Sequence, residues 1–173
     1  MAIALLLIDV QQGMFMLSRP LYQGDQVVER IASLLDRARE QKVPVFHVRH
    51  DGGRGHILER GTAGWKFHRL ATPREGEPIV DKRHSSAFQD TTLHEQLQRS
   101  QINKLIMAGM QSEYCVDSTC RAAVALGYHP VLVSDAHTTF DTPVLSAAQI
   151  IAHHNLTLGG NFAELASTEH LRF

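Results

Sequence analysis

Cys115 lies in a stretch, Leu105 to Ala123, that reads in three pieces. Lys104 to Ala108 is a short apolar run of buried-strand type. Gly109 to Ser112 is a break of small and polar residues. From Glu113, small and apolar residues recur at helical spacing to Leu126, and Gly127 is a C-terminal stop. The thiol therefore sits where a strand turns into a helix, inside the first turn, among unpaired N–H groups and the positive end of the helix dipole. That position favours a thiolate: a free thiol titrates near about 8.5, and a helix N-terminus with a nearby cation lowers this by several units. The competing reading is a small apolar core residue, because free cysteines are among the most buried types. Asp9 ends the apolar run Ile3 to Val10. A carboxylate there either caps the next turn or belongs to a site, since open α/β sheets bind ligands at the carboxyl ends of their strands. Lys82, by position alone, reads as a solvated surface lysine. His50, Asp51, His56 and His68 are metal-ligand types, but they are scattered through a polar loop with no tight pair, and such residues are more often solvated.

These side chains need a scaffold to position them, and the apolar patterning supplies one. Ile3 to Val10 is a near-continuous apolar strand, the pattern of a central parallel strand covered on both faces. Gly24-Asp25 opens a helix with Val27, Val28, Ile31, Leu34, Leu35 and Ala38 on one face, ended by Lys42 and Pro44. Val43 to Val48 is a second strand, so Ile3 to Val48 forms a βαβ unit in a parallel sheet. Asp51 to Pro78 is long, irregular and glycine-rich, the length of a lid or binding loop. It holds Trp65, the only tryptophan, which either walls a pocket or anchors the loop. Pro78 to Arg83 is extended, and Asp90-Thr91-Thr92 caps a helix running to Ser100. After the cysteine segment, His129 to Ser134 is a strand and Asp135 to Asp141 a loop. Pro143 to His154 is a helix with Pro143 in its first turn. Phe162 to Ala166 is a last short strand, and Thr168 to Leu171 a terminal helical turn.

The chain has 173 residues, 43% hydrophobic and 20% charged, which suits one domain, residues 1–173. A formal net charge of -1 gives no basic face for nucleic acid. Ala2 to Ile8 is too short to span a membrane and lacks a basic leader, so neither a membrane anchor nor a signal peptide is expected. The two cysteines, Cys115 and Cys120, lie on different sides of the predicted helix and lack CxxC spacing, which disfavours a disulfide or redox pair and fits a reducing cytoplasm.

Three motifs then carry a resemblance across nearly the whole chain. LLLIDVQQGMF, DKRHSSAF and IMAGMQSEYCVDSTCRAAVALGY occur in order, followed by VLVSDAHTT. Together they resemble the isochorismatase-like cysteine hydrolase superfamily, which includes nicotinamidases and N-carbamoylsarcosine amidases. The resemblance implies a three-layer α/β/α Rossmann-like sandwich with a six-stranded, mostly parallel sheet. It implies Asp9, Lys82 and Cys115 as a catalytic set, with Asp9 as general base, Lys82 stabilising the thiolate and Cys115 as nucleophile. It further implies a cis peptide bond at Met110–Gln111 and an oxyanion hole from the N–H groups of Gln111 and Cys115. The reaction implied is hydrolysis of a small amide-type substrate through a thioester, without a cofactor, in a homo-oligomeric protein. Phe15, Trp65, Phe88 and Tyr114 lie in or beside the motifs or the long loop, and some of them are expected to line an apolar pocket next to Cys115, with Trp65 a candidate to be supplied across an interface between subunits.

Two departures narrow this. Nicotinamidases carry a metal motif of Asp, one residue, then His after the second strand. Here Asp51 is followed by Gly52 and Gly53, so neither a bound metal nor nicotinamidase activity is expected. Isochorismatases proper replace the nucleophilic cysteine, whereas Cys115 is retained. The expectation is a metal-independent hydrolase of a carbon–nitrogen bond. A nicotinamidase-type metal-assisted amidase, and a thiol redox or binding protein on the same fold, are the alternatives.

Overall fold

The structure is a computed structural model that describes residues 2–173. Six strands form one sheet: β1 (Ile3–Ile8), β2 (Val45–His50), β3 (Ile79–Lys82), β4 (Lys104–Met110), β5 (His129–Thr138) and β6 (Glu164–Ala166). They pair in the order β3-β2-β1-β4-β5-β6, and every pairing is parallel. Four helices accompany them: α1 (Gly24–Glu40), α2 (Leu93–Arg99), α3 (Asp117–Ala125) and α4 (Ala147–Asn161).

The strands are apolar on both faces because both faces are covered. Alternation along β1 divides the core. Leu5 and Leu7 pack with Val27, Ile31, Leu34 and Leu35 of α1. Ala4, Leu6 and Ile8 pack on the other side with Leu93 and Leu97 of α2 and Cys120 and Ala123 of α3. The inward stripe read for α1 is the buried one, with Asp25 in its first turn and Arg37 and Arg39 in its last, the polarity that suits the helix dipole.

Several boundaries differ from the sequence expectation. β5 does not stop at Ser134 but continues to Thr138, after a register shift against β4 between Met107 and Gly109. The polar residues that this buries are satisfied: His137 Nδ1 meets Ser112 Oγ at 2.8 Å, its Nε2 meets Asn155 Oδ1 at 3.0 Å, and Thr138 Oγ1 donates to the Tyr22 carbonyl at 2.6 Å. α4 starts after Ser146 rather than at Pro143, because Ser146 and Gln149 form a reciprocal capping box. It also runs on to Asn161. Among the described residues no helix is long and apolar enough to cross a membrane.

The order of the strands places a switch point between β1 and β4. From β1 the chain builds outward through β2 and β3, then returns to lay β4 on the other side of β1. The carboxyl ends of two such strands leave a crevice between their diverging loops. Gly109 lets the two strands close up there: it has a φ of 135°, and a Cβ at this position would collide with the Ile8 carbonyl.

Candidate active site

Each of three side chains reaches this crevice by a different route. Asp9 follows β1 directly, with a φ of 53°, a left-handed conformation that Asp tolerates better than most residues. Cys115 sits in a single turn of π-helix, Ser112–Val116, between β4 and α3. The peptide bond Met110–Gln111 at the end of β4 is cis. Lys82 is the last residue of β3, two strand spacings or about 10 Å from β1. Its side chain crosses the end of β2, past His50, to which Lys82 is paired in register.

Lys82 Nζ is the centre of the cluster. It lies 2.7 Å from Asp9 Oδ2, 3.1 Å from Cys115 Sγ, 3.2 Å from His50 Nδ1 and 3.0 Å from the His84 carbonyl oxygen. The lysine is 2% exposed and Asp9 is 3% exposed. Burial pulls the ammonium pKa down, but the Asp9 carboxylate and Cys115 more than offset it, and Lys82 ends above its ordinary value. It therefore stays charged. The Lys82 ammonium engages Oδ2 of Asp9, whereas Oδ1 has no donor aligned with it, so the carboxylate keeps acceptor capacity beside the thiol.

Cys115 departs from the expected lowered pKa. Burial first, then the Asp9 carboxylate, pushes its thiol up to about 12, and Lys82 offsets only part of this. The helix N-terminus and one cation do not outweigh a carboxylate in a site shielded from water. The resting arrangement is thus a thiol, a carboxylate and an ammonium.

A cavity of about 330 Å³ opens onto Cys115. Its polar lining is Asp9, His50, His56, Ser85, Gln111, Tyr114 and Cys115, with Arg19; its apolar lining is Met14, Leu17, Ile57, Leu58, Met110 and Phe140. The segment from 52 to 68 closes one side. Gly13 N–H donates to the Gly64 carbonyl at 2.8 Å, and a Cβ on Gly64 would strike the Ile57 carbonyl, so this approach requires glycine.

Of the four aromatic candidates for the pocket, Tyr114 lines it and stands 54% exposed at its mouth. The other three do not line the cavity. Trp65 is claimed by Arg49, whose guanidinium lies 3.4 Å from the ring centroid. Phe15 packs on the ring of His68 at 4.6 Å, and Phe88 stacks on Tyr128 at 5.7 Å. Each found a nearer partner within this chain. Met14 lies in the first motif, but Arg19, Leu17 and Phe140 lie outside the motifs, and only their convergence in space marks them.

The metal-type residues separate in the same way. His50 and His56 line the cavity, whereas Asp51 is turned from it. Asp51 accepts from Gly53 N–H, which with help from Arg83 holds its carboxyl below the usual range in spite of burial. His68 caps a short 3-10 turn. Asp9, His50 and Cys115 do offer donor atoms within 4.8 Å of one another. A divalent ion does not fit that set, because the Lys82 ammonium already contacts all three and would face the ion directly.

Residues 3–169 match the isochorismatase domain family. The chain is 36% identical to a streptothricin hydrolase of Streptomyces noursei over 81% of its own length, but the match spans only 51% of that relative. It is 31% identical to an isochorismatase family protein of Bacillus subtilis over 98% of both chains. The crystal structure of an isochorismatase from Pseudomonas putida superposes with a TM-score of 0.92 at 35% identity, over 97% of this chain and 89% of that one.

Proposed function

The chain belongs to the isochorismatase domain family, and from that premise we propose that it is a cysteine hydrolase cleaving the C–N bond of a small amide or ureido compound through a thioester on Cys115. The observation that carries this is the contact of one buried ammonium, Lys82 Nζ, with both Asp9 and Cys115 at the floor of a cavity.

The raised thiol pKa sets the order of events. Near neutral pH the thiol does not ionise by itself, so its proton passes to the free acceptor side of Asp9 as Sγ attacks the carbonyl carbon. Lys82 stays an ammonium throughout. It balances the thiolate during the transfer. The carbonyl oxygen becomes an oxyanion, and the N–H groups of Gln111, just before the turn, and Cys115, within it, donate to it. Asp9 returns the proton to the departing nitrogen as the C–N bond breaks. Water then enters, Asp9 takes its proton, and attack on the thioester releases the acid and restores the thiol.

The test is ammonia release from a panel of small primary amides and ureas, run with and without a chelator, alongside mass spectrometry of the protein quenched during turnover. Expected are turnover unaffected by the chelator and an acyl adduct on Cys115 that hydroxylamine removes. An unmodified Cys115 during turnover, or equal turnover by Cys115→Ala, rules the reading out.

A further inference from the structure

The cavity holds a second cation that this mechanism leaves unused. Arg19 lines it, and among the described residues no carboxylate lies within ion-pairing distance of its guanidinium. Asp9 is the only acidic residue in the lining, and Lys82 neutralises it. Arg19 is exposed and not neutralised, and it rests on a ring: its guanidinium carbon lies 4.8 Å from the centroid of Phe140, itself a lining residue. Stacking on a ring face leaves the N–H edges of a guanidinium free to donate, and these match a carboxylate in bidentate geometry.

The two imidazoles in the lining add donors of the same sense. Lys82 donates to His50 Nδ1 at 3.2 Å, and the Leu58 N–H donates to His56 Nδ1 at 3.1 Å. With Nδ1 accepting in both rings, each carries its proton on Nε2 and offers an N–H. The cavity therefore has an uncompensated positive charge and N–H donors among its apolar lining residues.

We infer that Arg19 is a specificity-determining residue, and that the substrate is a small amide whose far end carries a carboxylate, the anion seated on Arg19 while the amide carbon meets Cys115. This rests on the hydrolase reading for the amide end only; the anion site stands on the charge of the cavity.

The experiment uses monoamides of malonic, succinic and glutaric acid against the matching diamides, pairs that differ only in charge at the far end. Binding is measured by calorimetry on Cys115→Ala, and ammonia release on the unmodified chain. At one chain length or more the monoamide should bind at least about tenfold more tightly than its diamide. Arg19→Ala should collapse that preference, Arg19→Lys should restore part of it, and added salt should weaken it. Arg54→Ala, removing an exposed arginine outside the cavity lining, should leave the preference unchanged. No preference at any chain length, absence of binding by all the monoamides, or a preference that survives in Arg19→Ala overturns the proposal. Charge-dependent binding without ammonia release keeps the anion site and counts against the hydrolase. Release from mono- and diamides alike, with no binding preference, does the reverse.

Discussion

The turn Ser112–Val116 and the body of α3 are successive parts of one helical run, and each carries a cysteine. The two thiols share their titration: burial pushes both up to about 12. They differ in surroundings. Cys115 is partly open to the cavity, 3.1 Å from a lysine ammonium and beside an aspartate with free acceptor capacity. Cys120 is fully buried in the apolar cluster of α2, α3 and the sheet. A helix N-terminus therefore does not by itself prepare a nucleophile. What separates the two thiols is access and a neighbouring carboxylate and ammonium, not a low resting pKa.

The comparison breaks most clearly in activity. Cys115→Ala should fold and lose hydrolysis by about a thousandfold or more, as removal of a covalent nucleophile does. Cys120→Ala should keep most activity and lose about 1 kcal/mol of stability through a small cavity, read by denaturant unfolding. Comparable activity loss in both variants would erase the distinction.

Asp9→Asn sharpens it. The carboxylate is both the proposed base and a cause of the high thiol pKa. Its loss should slow hydrolysis about a hundred- to ten-thousandfold. The same change leaves Lys82 beside a thiol relieved of a negative neighbour, so iodoacetamide should label Cys115 faster than in the unmodified chain. Reactivity and turnover should thus move in opposite directions; parallel losses would show that Asp9 raises no barrier to ionisation.

In the unmodified chain, peptide mapping after limiting iodoacetamide should find Cys115 before Cys120, because only Cys115 is accessible. The labelling rate should keep rising with pH through 9 and beyond, since the thiolate fraction grows until about 12. A plateau near neutral pH would mean that the thiolate is already formed.

The smallest effect is on stability at alkaline pH. Each thiol titrates near 12 when folded against an ordinary 9.0. The folded state binds these protons more tightly, so the stability they contribute is complete below pH 9 and declines as pH rises towards 12. Thermal unfolding across that range should show a shallower decline in Cys120→Ala. An unchanged slope would mean that Cys120 is not buried as a thiol.

Much of this was legible in the sequence, where local rules suffice. The apolar runs, the inward stripe of α1 and the position of Asp9 at a strand end follow from periodicities of about 2 and 3.6, which act over a few residues. The start of α4 was misplaced, because Pro143 signals a first turn whereas Ser146 and Gln149 cap the helix three residues later. The full length of β5 was hidden, because Asp135 to Asp141 reads as a loop until Ser112 and Asn155 supply partners for His137 from elsewhere. The tertiary structure alone decided three further things. It carried Lys82 past His50 to Asp9, from one edge of the sheet to its switch point. It gave Trp65 to Arg49 and placed Arg19 in the lining of the cavity. It set the protonation of Cys115, since desolvation and the field of Asp9 depend on what surrounds the sulfur in space and not on what precedes it in the chain.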